Sequence, residues 1–388
     1  MKLVFVCFEF EPSKLRKQPW RYVAELTRGL DTDVEPLVVT DTEAEVDGVA
    51  THTVDSLGTL TGPSTALVDT VRRADPDVVA TVLGPSSLFR PTSLASEVQA
   101  PTIAVMTSPL YELGDVVGVG AAEFYRHSSY LIGHLAGALT PDIAARRHLD
   151  QYDHLITLTC STGDALADTG TTTPVDVVRP GLDPFDRKLP PESAVEDVQA
   201  ELAPDGDPII LYFTSPLTLR GTDTLVKAFA KLTTSTDAIL VVLARQDGGG
   251  LSDEEQYLTD LASNLGVADS FVLLPKNLTP EGVKAHLRAS DVVALPYKIV
   301  ISGVPVSILE TMAVGRPVVT TTTDGLPELV GDRSQLVVPN DVDSLARRLE
   351  ARLADSNAVG RANRERISDH PTWEESREQF VGILEGIQ

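Results

Sequence analysis

Residues 291–331 read DVVALPYKIVISGVPVSILETMAVGRPVVTTTTDGLPELVG. Two apolar, β-branched runs, 291–296 and 317–321, bracket a loop, a helical stretch that starts near Pro305, and a Gly-Arg-Pro turn. Runs that are continuously apolar rather than alternating suit parallel strands covered on both faces. The unit therefore reads strand–helix–strand, the repeat of an open parallel sheet. Ser302 and Gly303 precede the helix, where unpaired backbone N–H groups and the helix dipole favour a phosphate or a sugar hydroxyl. Glu310 lies about one and a half turns into that helix, and its carboxylate can accept two hydroxyl hydrogen bonds from a diol.

The same alternation extends outward in both directions. Apolar runs at 208–213, 238–244, 270–275 and 335–339 complete one series, and runs at 3–8, 34–40, 77–83, 101–107 and 154–159 form another. Helical stretches separate them, including 222–232, 253–265, 342–353 and 374–387. Residues 184–207 lack strand signal, carry paired prolines and many acids, and read as the interdomain connection. The expected architecture is α/β, with two Rossmann-like doubly wound domains facing a central cleft. Their limits are 1–183 and 184–371, and a closing helix at about 372–388 packs back on the first domain. Ligands of such sheets bind outside the carboxyl ends of the strands, where the strand order reverses.

Composition narrows the function classes. The 388 residues include 56 Asp+Glu against 32 Lys+Arg, a formal net charge of −24, and only nine of the cations are lysines. Such a field does not attract nucleic acid, and it reads as a halophilic surface kept hydrated in high salt. With 42% hydrophobic residues the chain can bury a sizeable core. Cys7 and Cys160 stand alone, so neither a zinc site nor a disulfide framework is expected. MKLVFVCFEFEP reads as a first strand rather than a signal peptide. The longest apolar stretch, 116–139, is broken by Glu123, Arg126, His127 and His134, too polar to span a bilayer. The expectation is a cytoplasmic protein. His127 and His134 share a helix face and read as packed or surface histidines, with no carboxylate completing a metal site.

At SGVPVSILETMAVGRPVV and DGLPELV the sequence resembles the retaining glycosyltransferase family 4, which has the GT-B fold. ILYFTSPLTLRGTDTLVKAFAKL, VVRPGLDPF and HPTWEESREQFVGIL resemble further segments of that family, so the likeness covers residues 175–388 and is thin before them. The resemblance implies transfer of a sugar from a nucleotide-sugar donor, without a metal or other cofactor. It gives Glu310 the nucleotide ribose and Arg220 the diphosphate, with Thr214 and Ser215 beside the phosphates. It sets Ser302, Gly303 and Val304 around the sugar and Pro275 and Lys276 near the base. The chain departs from the pattern in several places. The first of the family's two glutamates falls on Ser302, its loop arginine on Ser215 and its histidine near Thr107, and the glycine pair of the first loop is missing. Loss of a diphosphate cation is the most consequential of these, because positioning and charge stabilisation carry such a transfer.

The first βα loop, KLRKQPWRY at 14–22, gathers Lys14, Arg16, Lys17 and Arg21 around Trp20. In an anionic chain this cluster suits a phosphorylated acceptor or the edge of an anionic membrane. Arg16, Lys17 and Arg21 are therefore the acceptor-side candidates, and the cluster is where peripheral membrane contact is expected. The expected function is sugar transfer, with retention, to a glycan or lipid-linked acceptor. The rivals are a non-catalytic GT-B relative that binds a partner or a glycan, and a transferase using a lipid-phosphate sugar.

Overall fold

The computed structural model describes residues 1–15, 17–30, 33–244, 251–275, 277–301 and 303–387. Arg16, Lys276 and Ser302, three of the expected site residues, lie outside the described residues. Seven strands form the first sheet: β1 (Lys2–Val6), β2 (Glu35–Thr40), β3 (Ala50–Thr53), β4 (Val78–Leu83), β5 (Thr102–Met106), β6 (His154–Thr157) and β7 (Val175–Val177). Their order is β3-β2-β1-β4-β5-β6-β7, and every pairing is parallel. The second sheet holds β8 (Ile209–Tyr212), β9 (Ile239–Ala244), β10 (Phe271–Pro275), β11 (Val292–Leu295), β12 (Val318–Thr321) and β13 (Leu336–Val337). Its order is β10-β9-β8-β11-β12-β13, again all parallel.

The central strands are buried throughout, as their unbroken apolar runs require: Ile209–Tyr212, Val292–Leu295 and Val318–Thr321 have no exposed residue. In each sheet the strand order reverses once, between β1 and β4 in the first and between β8 and β11 in the second. These two reversals define where ligands are expected.

Residues 184–207 are more than a connection. The helix Glu192–Leu202 within them packs on the helix Pro280–Ala289 behind the second sheet. It buries Val195, Val198 and Leu202, an i, i+3, i+7 stripe. The helical stretch expected at 342–353 runs on to Ile367, with non-helical φ/ψ at Asp355 marking a kink. The last helix, Trp373–Gly386, opens with a capping box between Thr372 and Glu375. It returns to the first sheet: Phe380 meets Phe5 with ring centroids 6.1 Å apart, and Trp373 meets Tyr22 edge-on at 6.2 Å. Ser376 Oγ donates to Arg179 O at 2.9 Å and Arg377 to Glu25 O at 3.1 Å. No helix among the described residues is long and apolar enough to cross a membrane.

Candidate functional site

The reversal in the second sheet places Thr214 and Ser215, which follow β8, beside Tyr297, which follows β11. Tyr212 Oη donates to Ser215 O at 2.8 Å, Thr214 Oγ1 donates to Tyr212 Oη at 2.8 Å, and Tyr297 Oη lies 3.2 Å from Ser307 Oγ. Thr214 also reaches Tyr297, so a relay of hydroxyls links the loop after β8 to the first turn of the helix Val306–Ala313. Burial pushes both tyrosine hydroxyls above their ordinary range, which keeps them as neutral hydrogen-bonding groups.

Arg220 ends a short turn, Thr218–Arg220, and Gly221 then begins the helix Thr222–Leu232. Gly221 has φ +80°, and a Cβ there would stand 1.9 Å from Pro296 O, so the approach of the two loops leaves room for no side chain. Arg220 is partly buried, and its guanidinium has no hydrogen bond or ion pair among the described residues. Its charge reaches Tyr212 and Tyr297, and the charge of Glu310 also reaches Tyr297. The structure thus brings Thr214, Ser215, Arg220 and Glu310 around one hydroxyl relay. Val304 is buried. Pro275 closes β10, two strands away from β8.

Gly303 has φ +42° and sits against the other domain: a Cβ on it would lie 2.8 Å from Thr107 O and 2.5 Å from Leu158 Cδ1. Thr107 follows β5 and Leu158 follows β6, so the loop after β11 presses on the carboxyl edge of the first sheet. Side chains of the first domain hold the rest of that loop. Tyr111 Oη donates to Val300 O at 3.0 Å and accepts from Val300 N at 2.8 Å, and His134 Nε2 lies 3.3 Å from Ile301 O.

A buried ion cluster stands beside these contacts, and the sequence reading missed it. Lys298 Nζ lies 2.9 Å from Glu123 Oε1 in the first domain and 2.7 Å from Asp223 Oδ1 in the second. Thr218 Oγ1 donates to Glu123 Oε2 at 2.7 Å, and Thr218 N donates to Glu254 Oε2 at 3.1 Å. His127 Nε2 lies 3.1 Å from Thr218 Oγ1 and 3.2 Å from Glu254 Oε1. Against the cost of its burial, Lys298 and Lys227 hold the Asp223 carboxyl below its ordinary value. His127 and His134 are thus packed between the domains. The available signal was Lys298 itself, a lone lysine in the apolar run PYKIVI.

A second cross-domain contact uses the TDG loop. Glu328 accepts from Cys160 N at 3.0 Å through each carboxylate oxygen, at the start of the helix Cys160–Asp168. Burial pushes the Asp324 carboxyl up to about 6; Glu328 adds to the push, and bonds from the Gly325 backbone, Ser161 and Thr162 oppose it. The shallow recess here is lined by Asp164, Asp168, Asp324 and Glu328, which repel a diphosphate.

Two cations of the expected acceptor cluster are held in ion pairs. Lys14 Nζ binds Glu9 at 2.6 Å and sits over the Trp20 ring. Arg21 pairs with Asp183 at 2.6 Å, at the end of the first domain, and stacks on Trp373, tying that domain to the return helix. Lys17 is exposed. Of the expected cationic cluster, Lys14 and Arg21 are thus matched by carboxylates, Lys17 faces solvent, and Arg16 lies outside the described residues.

A cavity of about 330 Å³ occupies the reversal between β1 and β4, and Phe8, Asp41, Ser86, Arg90, His148 and Tyr152 contribute to its wall. That volume is within the range of about 300–1,000 Å³ typical of small-molecule sites. His148 is 2% exposed, and its Nδ1 lies 3.0 Å from Arg90 O. His148 Nε2 and Arg90 Nε are buried without a hydrogen-bond partner. The lining comes from segments spread between Val6 and Tyr152, so no local motif announces it. Among the described residues no group of three or more His, Cys, Asp or Glu is placed to hold a metal ion.

Known structures share this architecture over essentially the whole chain. Sucrose-phosphate synthase from Thermosynechococcus elongatus superposes with a TM-score of 0.73 at 17% identity, covering 99% of this chain and 98% of that one. HepE from Anabaena, solved in complex with UDP, gives 0.73 at 18% identity with full coverage of both. The fold is therefore GT-B, two Rossmann-like domains face to face. In sequence, the chain is 32% identical over 200 residues to a D-inositol 3-phosphate glycosyltransferase from Mycobacteroides abscessus, which is 51% of this chain and 43% of that protein. The chain spans about half the length of the curated relatives it matches. The half of the molecule that carries Thr214, Arg220 and Glu310 is the half with a family match: residues 195–369 fit the model of Glycosyl transferases group 1.

Proposed function

We propose that the chain is a glycosyltransferase that moves a sugar, with retention, from a nucleotide diphosphate sugar to a glycan or lipid-linked acceptor. The observation that carries this is Arg220, a cation with no partner among the described residues, next to the Gly221 turn at the strand-order reversal of the second sheet. Arg220 and the N–H groups at the start of Thr222–Leu232 neutralise the diphosphate. Thr214 and Ser215 stand beside the phosphates, Glu310 accepts from the ribose hydroxyls, and Gly303 and Val304 border the sugar. The end of β10, at Pro275, borders the base. The departing phosphate takes the acceptor's proton, so the chain's own work is charge stabilisation and positioning. The relatives' printed activities support this reading, since the first of them is named as a glycosyltransferase.

The acceptor belongs on the facing edge of the first sheet, and domain limits of 1–183 and 184–371 with a returning helix at 372–388 fit this division. A cytoplasmic, salt-rich setting suits the net charge of −24. The test is thermal stability with UDP, GDP and ADP in molar salt, followed by product analysis with a panel of nucleotide sugars. A saturating nucleotide at about 100 times its Kd raises stability by about 2.7 kcal/mol. Glu310→Ala should weaken nucleotide binding by about tenfold or more, as loss of hydrogen bonds to a charged group predicts. Absence of any nucleotide-induced shift would sink the reading.

A further inference from the structure

Arg220 makes no hydrogen bond or ion pair among the described residues, so its guanidinium can be placed no better than the turn Thr218–Arg220 that carries it. Two ties on that turn come from its own domain. Thr218 N donates to Glu254 Oε2 at 3.1 Å, and Lys298 N donates to Leu219 O at 3.3 Å. Further ties come from the first domain. Thr218 is fully buried, and its Oγ1 donates at 2.7 Å to Glu123 Oε2, on the helix Ala121–Arg126. Leu219, also fully buried, packs in one apolar cluster with Ile299 and with Val119 and Leu131 of the first domain. Glu123 is itself fixed, because its other oxygen meets Lys298 Nζ at 2.9 Å. Lys298 in turn holds Asp223, in the first turn of the helix Thr222–Leu232, at 2.7 Å.

Fastening two domains does not by itself call for this chemistry. A buried carboxylate carries a desolvation cost, and well-packed apolar side chains often hold as firmly. What the carboxylate adds is a short, directional bond to one hydroxyl. That hydroxyl stands two residues before the cation, on the same turn, while Asp223 anchors the helix that follows it. We infer that Glu123 and Thr218 are positioning residues for Arg220: through their bond the first domain sets where the guanidinium meets the diphosphate. The inference rests on the transfer reading above, which gives Arg220 the diphosphate.

The test is a double-mutant cycle on the full-length chain. The wild type, Thr218→Val, Arg220→Ala and the double variant are titrated with whichever of UDP, GDP and ADP binds the wild type. Thr218→Val should weaken that nucleotide by about tenfold, the loss expected for a hydrogen bond to a charged group. In the Arg220→Ala background the same substitution should change affinity by no more than about twofold, because residues that act through one another are not additive. Thr218→Ser, which keeps the hydroxyl, should recover most of the affinity. Amide exchange across residues 217–221, read without nucleotide, should quicken severalfold in Thr218→Val. Should Thr218→Val fail to fold, Glu123→Gln takes its place in the cycle, with the same expected pattern. Equal losses in the two backgrounds overturn the inference, since a substitution that only loosens the fold does not need Arg220 in order to act. Undiminished affinity or unchanged exchange in Thr218→Val overturns it as well. A wild type that binds none of the three nucleotides sinks the transfer reading and this inference together, whereas equal losses sink the inference alone.

Discussion

The carboxyl edges of the two sheets share one topology and are finished in opposite ways. At the reversal of the second sheet, loops are pressed together at Gly221 and Pro296, linked by a hydroxyl relay, and walled by the ion cluster of Lys298, Glu123 and Asp223. At the reversal of the first sheet an open cavity retains buried nitrogens on His148 and Arg90 that have no hydrogen-bond partner among the described residues. Buried polar groups in folded proteins are almost always paired. The second edge is thus tied to the first domain by paired charges, whereas the first edge keeps an open cavity.

The largest effect is expected where the fastening is cut. Lys298→Met leaves Glu123 and Asp223 facing each other without the cation between them. Removing one partner of a buried ion pair costs about 3–5 kcal/mol. Urea unfolding should show that loss, and adding Glu123→Gln to the same chain should return part of it. A loss below about 1 kcal/mol, the value of a solvated pair, would mean that the cluster does not hold the domains together.

Arg220→Ala tests the other function of that edge. The side chain holds no partner among the described residues, so stability should scarcely change. Loss of a preorganised charge-stabilising donor lowers transfer by about 10²–10³-fold, measured as kcat at saturating donor, and Arg220→Lys should restore part of it. If Arg220→Ala unfolds the protein instead, the residue belongs with the fastening.

How much of this contrast was legible in the sequence follows from the same physics. The central strands were visible because burial on both faces demands unbroken apolar runs, as in Ile209–Tyr212. The strands Ala50–Thr53 and Val175–Val177 were not, because they are the short edges of the first sheet and read ATHT and VDV. Arg220 and Glu310 could be named as candidates because each lies within its own strand–loop–helix unit, after β8 and after β11, whose local pattern is readable in sequence. The ion cluster was hidden, since Glu123 and Lys298 are 175 positions apart and the lone lysine in PYKIVI does not name its partner. The cavity was hidden for the same reason, and so was the pairing of Arg21, whose partner Asp183 lies far along the chain.

The second cross-domain contact gives an effect set by pH. The folded state holds the Asp324 proton up to about pH 6, whereas the unfolded chain releases it near 3.8. The contribution of this group to stability therefore falls as pH rises from about 4 through 6 and is level above. Asp324→Asn removes this dependence, so its advantage over the wild type should grow across that window to at most about 3 kcal/mol, at 1.36 kcal/mol per pKa unit. Thermal melts of the two proteins at pH 4, 5, 6 and 7 measure the difference directly. A constant offset between them would show that Asp324 reaches solvent and that the loop does not seal against Ser161.

The smallest effect is expected at Arg21, and it bears on which surface receives the acceptor. Its partner Asp183 is 41% exposed, and pairs of that kind contribute about 0–1 kcal/mol. Its stacking on Trp373, at 5.7 Å, adds about 0.5–1 kcal/mol. Arg21→Ala should therefore lower stability by about 1 kcal/mol, through a looser return helix. It should leave the KM for acceptor unchanged, because the guanidinium is already spent on Asp183 and Trp373. A severalfold rise in acceptor KM at unaltered stability would return the acceptor to the first loop.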